Sequence, residues 1–267
     1  AIHPPNALHH MVLGHRQSVL KFIKTISAVH PGRRACYLVG NKFWGGSMDL
    51  DIALDTRRSV RAFKNTPVPK ELVEELLLQA SRSPSGTNVQ PWKVYIAMGK
   101  TRDRLSEALL AYRETSPEAS GKEWPSNSKR IEPYISRMRN LGKDMYTLLE
   151  IPKGDKQANW NQWGRNYKFF DAPVGLIFTI DKDLDRTSWL DIGMFMQTLM
   201  LSATARGLDT CAQGAWNQFW KVTKDVLDIP DEEYVVCGMS LGYADETASV
   251  NTLVAEREPL SSFAFFK

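Results

Sequence analysis

Beyond residue 30 the chain has no histidine, for His3, His9, His10, His15 and His30 are all it contains. The body therefore lacks an imidazole for a Ser/His/Asp or Cys/His relay or for holding zinc. That excludes histidine-based hydrolysis and most zinc chemistry, and no metal site is expected. Cys36, Cys211 and Cys237 are few, odd in number and far apart, which fits a reducing compartment rather than a disulfide framework. No apolar run is long enough to span a bilayer, since the richest stretch, Trp189 to Leu208, is broken by Asp191, Gln197, Ser202 and Arg206, and no membrane partner is expected. Acidic residues are missing from the first 48 positions, which carry Arg16, Lys21, Lys24, Arg33, Arg34 and Lys42. Those six cations exceed the net charge of +4, so the rest of the chain is slightly acidic. Without a broad basic field, nucleic acid is not an expected partner. Gly-x-Gly-x-x-Gly follows no expected strand, and Gly99-Lys100-Thr101 has Val94 where a P-loop needs its first glycine, so neither common nucleotide motif is present.

Residues 1–47 differ in kind from the remainder of the chain. They are acid-free, histidine-rich and broken by prolines and glycines. Three readings stand: a transit peptide with a short amphipathic face over Arg16 to Val29, an appended extension that never packs, or a translated upstream segment with the working start at Met48. Residues 48–267 read as one α+β domain of interleaved helices and strands. Helices are expected over Met48–Thr56, Pro69–Ser81, Thr101–Arg113, Ser188–Arg206 and Lys221–Leu227, and strands over Lys93–Ala97, Val174–Ile180 and Tyr234–Leu241. Thr115 to Trp163 is read as helices and loops over a cleft. The helix Ser188–Arg206 is apolar nearly all round, should be covered on every side, and is expected to close with Gly207.

Three segments carry candidate chemistry. Arg57-Arg58-Ser59-Val60-Arg61 places three cations and a hydroxyl within five residues, a set that suits a phosphate group but is also met in solvated basic turns. Pro84 to Trp92, with Asn88 and Gln90, offers amides that match the donor and acceptor edge of a pyrimidine-type ring; it also reads as a turn before a packed tryptophan. In Asp209 to Ala215, Gly214 would let a backbone N–H approach a planar ligand unhindered.

In this order and spacing, Arg57 to Phe63, Pro84 to Trp92, Gln213-Gly214, and Leu241-Gly242-Tyr243 ahead of Arg257-Glu258-Pro259-Leu260 resemble the FMN-dependent nitroreductase family over roughly Met48 to Lys267. The resemblance implies an α+β fold with a mixed central sheet flanked by helices, in an intertwined homodimer. The long apolar helix would lie at the dimer centre, with each C-terminal segment on its partner. It implies bound FMN, NADH or NADPH as hydride donor, and a nitroaromatic or quinone as small-molecule acceptor, exchanged in ping-pong fashion. Carried over by position, Arg57, Ser59 and Arg257 contact the phosphate and ribityl chain, with Arg58 alongside. Arg61 and Asn88 meet the pyrimidine edge, Pro84 and Ser85 come from the second chain, and Gln213-Gly214 supply backbone donors near N5. Arg61 and Gly214 would take the catalytic roles. One departure is Gln213, where family members that reduce nitro groups often carry Glu. The same scaffold also supports enone reduction, dehalogenation and flavin cleavage, and a flavin-storage module or a structural interaction protein are competing readings. The expected location is the cytoplasm, or an organelle if residues 1–47 are a transit peptide.

Overall fold

The computed structural model describes residues 48–116, 121, 123, 124 and 131–267. The expected extension over 1–47 lies outside them, as does part of the Thr115–Trp163 region. The elements run α1 (Leu50–Thr56), α2 (Lys70–Ala80), β1 (Lys93–Met98), α3 (Gly99–Thr115), α4 (Tyr134–Leu148), α5 (Lys156–Gly164), β2 (Val174–Asp181), α6 (Arg186–Thr204), β3 (Asp209–Gln213), α7 (Trp220–Leu227) and β4 (Glu233–Gly242), with short 3-10 turns between them. The strands form one sheet in the order β1-β2-β4-β3, paired antiparallel throughout. The sheet is thus antiparallel rather than mixed, and a parallel bridge outside the strands, Ser59 to Thr210, lies at the β3 edge. Among the described residues no helix is long and apolar enough to cross a membrane.

β2 lies inside the sheet and is buried from Val174 to Ile180, which explains a run apolar on both faces. Successive side chains point to opposite faces. Val174, Leu176 and Phe178 meet α2 and α6 through Val73, Leu76, Phe195 and Leu199, while Ile177 meets Leu105 and Leu109 of α3 and the 165–171 turn. Gly175 and Gly238 are required on that second face, because a Cβ would stand 2.3 Å from the Phe169 ring and 2.2 Å from Trp216 respectively. Phe169 and Trp216 stack there at 4.4 Å.

α6 starts at Asp185, whose carboxylate accepts from the Thr187 and Ser188 amides, a standard N-cap. It ends as expected at Gly207 (φ 71°), with Leu208 N–H donating to Ala203 O and Gly207 N–H to Thr204 O, both at 3.0 Å, the Schellman pattern. Its cover is one-sided. Ile192, Phe195, Leu199 and Ala203 are buried on the sheet, yet Leu190 is 70% and Met194 39% exposed. Phe263, Phe265 and Phe266 of the tail are also open to solvent. β3 had no counterpart among the expected strands.

Candidate functional site

After α1 the chain runs extended beside β3. Val60 N–H donates to Thr210 O at 3.0 Å, Phe63 N–H to Phe170 O at 3.1 Å and Lys64 N–H to Tyr243 O at 2.8 Å. Alternation along this segment sends Val60 into the core and Arg57, Ser59 and Arg61 to the opposite side, so that the spacing of the basic run becomes one charged face. Asn251, 4% exposed, fixes the segment: its Oδ1 accepts from Arg61 N–H at 2.8 Å and its Nδ2 donates to Ala62 O at 2.8 Å and Asp245 O at 2.9 Å. Arg61 Nη1 donates to Ser59 O at 3.1 Å.

Arg57, Ser59 and Arg61 surround Cys211 on β3. Burial pushes that thiol up to about 11, against the opposing pull of Arg61, Ser59 and Arg57. Arg57 is itself lowered, first by burial and then by the nearby Arg257 guanidinium, so the C-terminal arginine joins the group. Among the described residues none of Arg57, Arg61 and Arg257 forms an ion pair with a carboxylate. Three neighbouring guanidinium groups without a carboxylate partner are a site for an anion. Arg58, on the other phase of the alternation, stands beside the half-buried Asp209 carboxylate instead.

Farther along β3, Gln213 is 3% exposed and its side chain is fully engaged. Its Nε2 donates to Asn166 O at 2.7 Å, and its Oε1 accepts from Ser240 Oγ at 2.8 Å. Gly214 is exposed, and a Cβ built on it would meet nothing within 4 Å. Its backbone is therefore open to a flat ligand, while the Gln213 amide points inward.

The Pro84–Gln90 loop lies elsewhere, on the open flank of α6. Gly86 N–H donates to Asp191 at 3.3 Å, and Ser83 Oγ to Thr198 Oγ1 at 2.7 Å. Ser85 Oγ accepts from Gln90 N–H at 3.0 Å, and Asn88 adopts φ 62° with its side chain exposed. Trp92 anchors the loop by stacking on Phe195 at 4.9 Å. Within the described chain no contact joins Pro84, Ser85 or Asn88 to the arginine group. Asn251 and Asn166 are the residues that the sequence did not single out.

The expected roof over the cleft holds α4 and α5, which border a cleft of about 940 Å³ lined by Arg139, Lys143, Tyr146 and Lys153 among others. α4 is tied to the arginine region by Ser249 Oγ donating to Leu148 O at 2.7 Å and by an Arg137–Glu258 ion pair at 2.8 Å.

Residues 54–243 match the model of the nitroreductase family. The chain is 43% identical to the 4-nitrobenzoate reductase of Pseudomonas putida over 219 residues, covering 82% of this chain and 95% of that protein. It is 37% identical to the nitrobenzene nitroreductase of Ectopseudomonas oleovorans over 218 residues, covering 81% and 96%. Among solved structures, the FMN- and NADPH-dependent nitroreductase NfnB of Sphigopyxis sp. strain HMH superposes with a TM-score of 0.78 at 30% identity, over 82% of this chain and 99% of that one.

Proposed function

Because the chain belongs to the nitroreductase family, we propose that it is a homodimeric FMN-dependent oxidoreductase that reduces nitroaromatic compounds with NADPH or NADH. Quinones form a second acceptor class, and donor and acceptor exchange in turn through one cleft. The observation that carries this reading is the group of Arg57, Arg61 and Arg257 at the start of β3, none paired with a carboxylate among the described residues, with the open Gly214 backbone at its end. Cys211 and Gly214 are three residues apart on an extended strand, about 10 Å. An anion site and a flat, side-chain-free wall are thereby set on one rigid element. Those residues fit a phosphate tail joined to a planar ring.

Bound FMN supplies the two-electron carrier; the protein binds, orients and sets the field. Arg57, Ser59 and Arg257 suit the phosphate and ribityl chain. Arg61, held through its own N–H by Asn251, would offset negative charge on a flavin ring bound beside it, an electrostatic effect of about 3 kcal/mol in comparable sites. Arg61→Ala should therefore slow anaerobic flavin reduction more than it weakens FMN retention; equal reduction rates in stopped flow would refute the role.

The homodimer is supported by apolar surface that a single chain leaves open: Leu190 and Met194 on α6, Leu50, Ile52 and Leu54 on α1, and Phe263, Phe265 and Phe266 in the tail. A second copy would cover α6 and bring a Pro84–Gln90 loop to the opposite arginine site. The decisive test is the absorbance spectrum of the purified protein before and after anaerobic NADPH, with its mass in solution. A yellow dimer bleached by NADPH supports the proposal. A yellow dimer that does not bleach would indicate flavin storage, and a colourless one a structural role.

A further inference from the structure

Gly214 is open because its neighbours are clamped. Gln213, Ala215, Trp216 and Asn217 are each 6% exposed or less, whereas Gly214 between them faces solvent. Three contacts from the 165–171 turn hold the flanks. Gln213 Nε2 donates to Asn166 O at 2.7 Å and Oδ1 at 3.3 Å, Tyr167 OH donates to Ala215 O at 3.4 Å, and Phe169 stacks on Trp216 at 4.4 Å. From the sheet, the fully buried Ser240 donates to Gln213 Oε1 at 2.8 Å. The turn itself carries Phe169, Phe170 and Asp171 in sequence at φ 52°, 53° and 69°. Left-handed geometry in three successive non-glycine residues persists only where the surroundings impose it.

We propose that Asn166 and Ser240 are positioning residues. Acting through Gln213, they aim the Gly214 N–H at the flavin and keep that wall of the site uncharged. The inference rests on the proposed FMN site. Its chemical content is that position 213 must be a neutral donor and acceptor at once. The two oxygens of Asn166 face Nε2, and the Ser240 hydroxyl faces Oε1. A carboxylate there would meet both Asn166 oxygens at hydrogen-bond distance, so glutamate is accommodated only as the neutral acid.

The other titratable and charged groups of the surrounding elements are Tyr167, Arg165, Lys168 and Asp171 on the turn, Cys211 and Asp209 on β3, Glu233, Tyr234 and Cys237 on β4, and Arg57, Arg58 and Arg61 on the adjoining segment. Burial pushes Tyr167 up to about 12 and Cys211 up to about 11, and Arg165 pairs with Asp171 at 2.9 Å. Tyr167 and Cys211 thus stay neutral to about pH 9.

The test is Gln213→Glu in the full-length protein, with Gln213→Met as a pH-silent control. For the FMN-loaded protein, the ratio of wild-type to variant flavin-reduction rate should rise about tenfold between about pH 6 and pH 9, as the buried acid loses its proton. In flavin-free protein the glutamate's raised folded-state pKa stabilises the fold at low pH and withdraws that stability as pH rises. The thermal deficit of Gln213→Glu should therefore widen as pH rises above about 4.3, the unfolded glutamate value, and level off once the folded-state acid has also ionised, while that of Gln213→Met stays constant. Ser240→Ala should speed hydrogen exchange at the Gln213 amide, which lies in the β3–β4 ladder, by about tenfold, since the clamp on its side chain is weakened. A pH-independent rate ratio and a constant thermal deficit for Gln213→Glu would overturn the proposal, as would unchanged exchange in Ser240→Ala. A protein that takes up no FMN sinks the flavin reading alone, because the unfolding and exchange measurements are made without it.

Discussion

Asn251→Ala is the substitution whose cost is most directly worked out from the geometry. The wild-type amide makes three hydrogen bonds of 2.8 to 2.9 Å and is 4% exposed. Two of the three partners keep a second contact: Ala62 O still accepts from Asp245 N–H at 2.9 Å, and Asp245 O from Ala248 N–H at 3.3 Å. The Arg61 N–H does not. Alanine therefore leaves one half-buried donor unmet, about 1–3 kcal/mol, and loses two further bonds worth about 1 kcal/mol each. The expected destabilisation is about 3–5 kcal/mol, read as a lower urea midpoint at unchanged slope.

The functional consequence should be larger than a distant packing defect would produce, because the freed backbone is that of Arg61. FMN affinity should fall about tenfold, equivalent to roughly 1.4 kcal/mol, by fluorescence titration. Asn251→Asp separates this argument from simple loss of volume. It keeps the acceptor for Arg61 N–H but points a carboxylate at two carbonyl oxygens. Burial would raise its folded-state pKa, so its stability is present at low pH and lost as pH rises through that value. It should be worse than alanine at neutral pH and recover on acidification. A loss below about 1 kcal/mol for Asn251→Ala, with unchanged FMN affinity, would refute the assignment.

How much of the fold is legible in the sequence depends on how local each signal is. β2 was legible because the run Val174 to Ile180 is apolar on both faces, and the end of α6 because Gly207 sits where a left-handed residue is needed. β3 was not. Asp209-Thr210-Cys211-Ala212-Gln213 contains one β-branched residue, and its conformation is imposed by pairing with β4, a tertiary effect that outweighs strand propensity. The arginine run was visible as charge, but only alternation beside β3 separates Arg57 and Arg61 from Arg58. Asn251 reaches Arg61 across 190 positions of sequence and Asn166 reaches Gln213 across 47. An asparagine in a polar stretch carries no mark of such a partner until the chain is folded. The one-sided cover of α6 is the converse: an all-round apolar helix announced a need for covering that one chain, as described, does not meet.

Two predictions remain. Leu190→Arg places a charge on a residue 70% exposed in the single chain, so the isolated fold should lose less than about 0.5 kcal/mol. Dimerisation and flavin retention should fail together, giving a colourless monomer by light scattering; a yellow dimer would show that this face of α6 is not the interface. The second concerns alkaline stability. The buried Glu233 carboxylate accepts from Lys93 Nζ at 2.8 Å and Tyr95 OH at 3.1 Å. Lys93 is raised chiefly by that hydrogen bond, and Tyr95 is pushed up to about 12 by burial, with Glu233 adding to it. Both groups hold their protons longer in the folded chain than in the unfolded one. Stability is therefore complete below about pH 10 and drains away toward about pH 12, as the unfolded state releases its protons first. Glu233→Gln removes the charge common to both shifts, so its thermal midpoint should fall less steeply over that window. Parallel curves for the two proteins would mean that Glu233 holds neither proton, and that the alkaline loss arises elsewhere in the molecule.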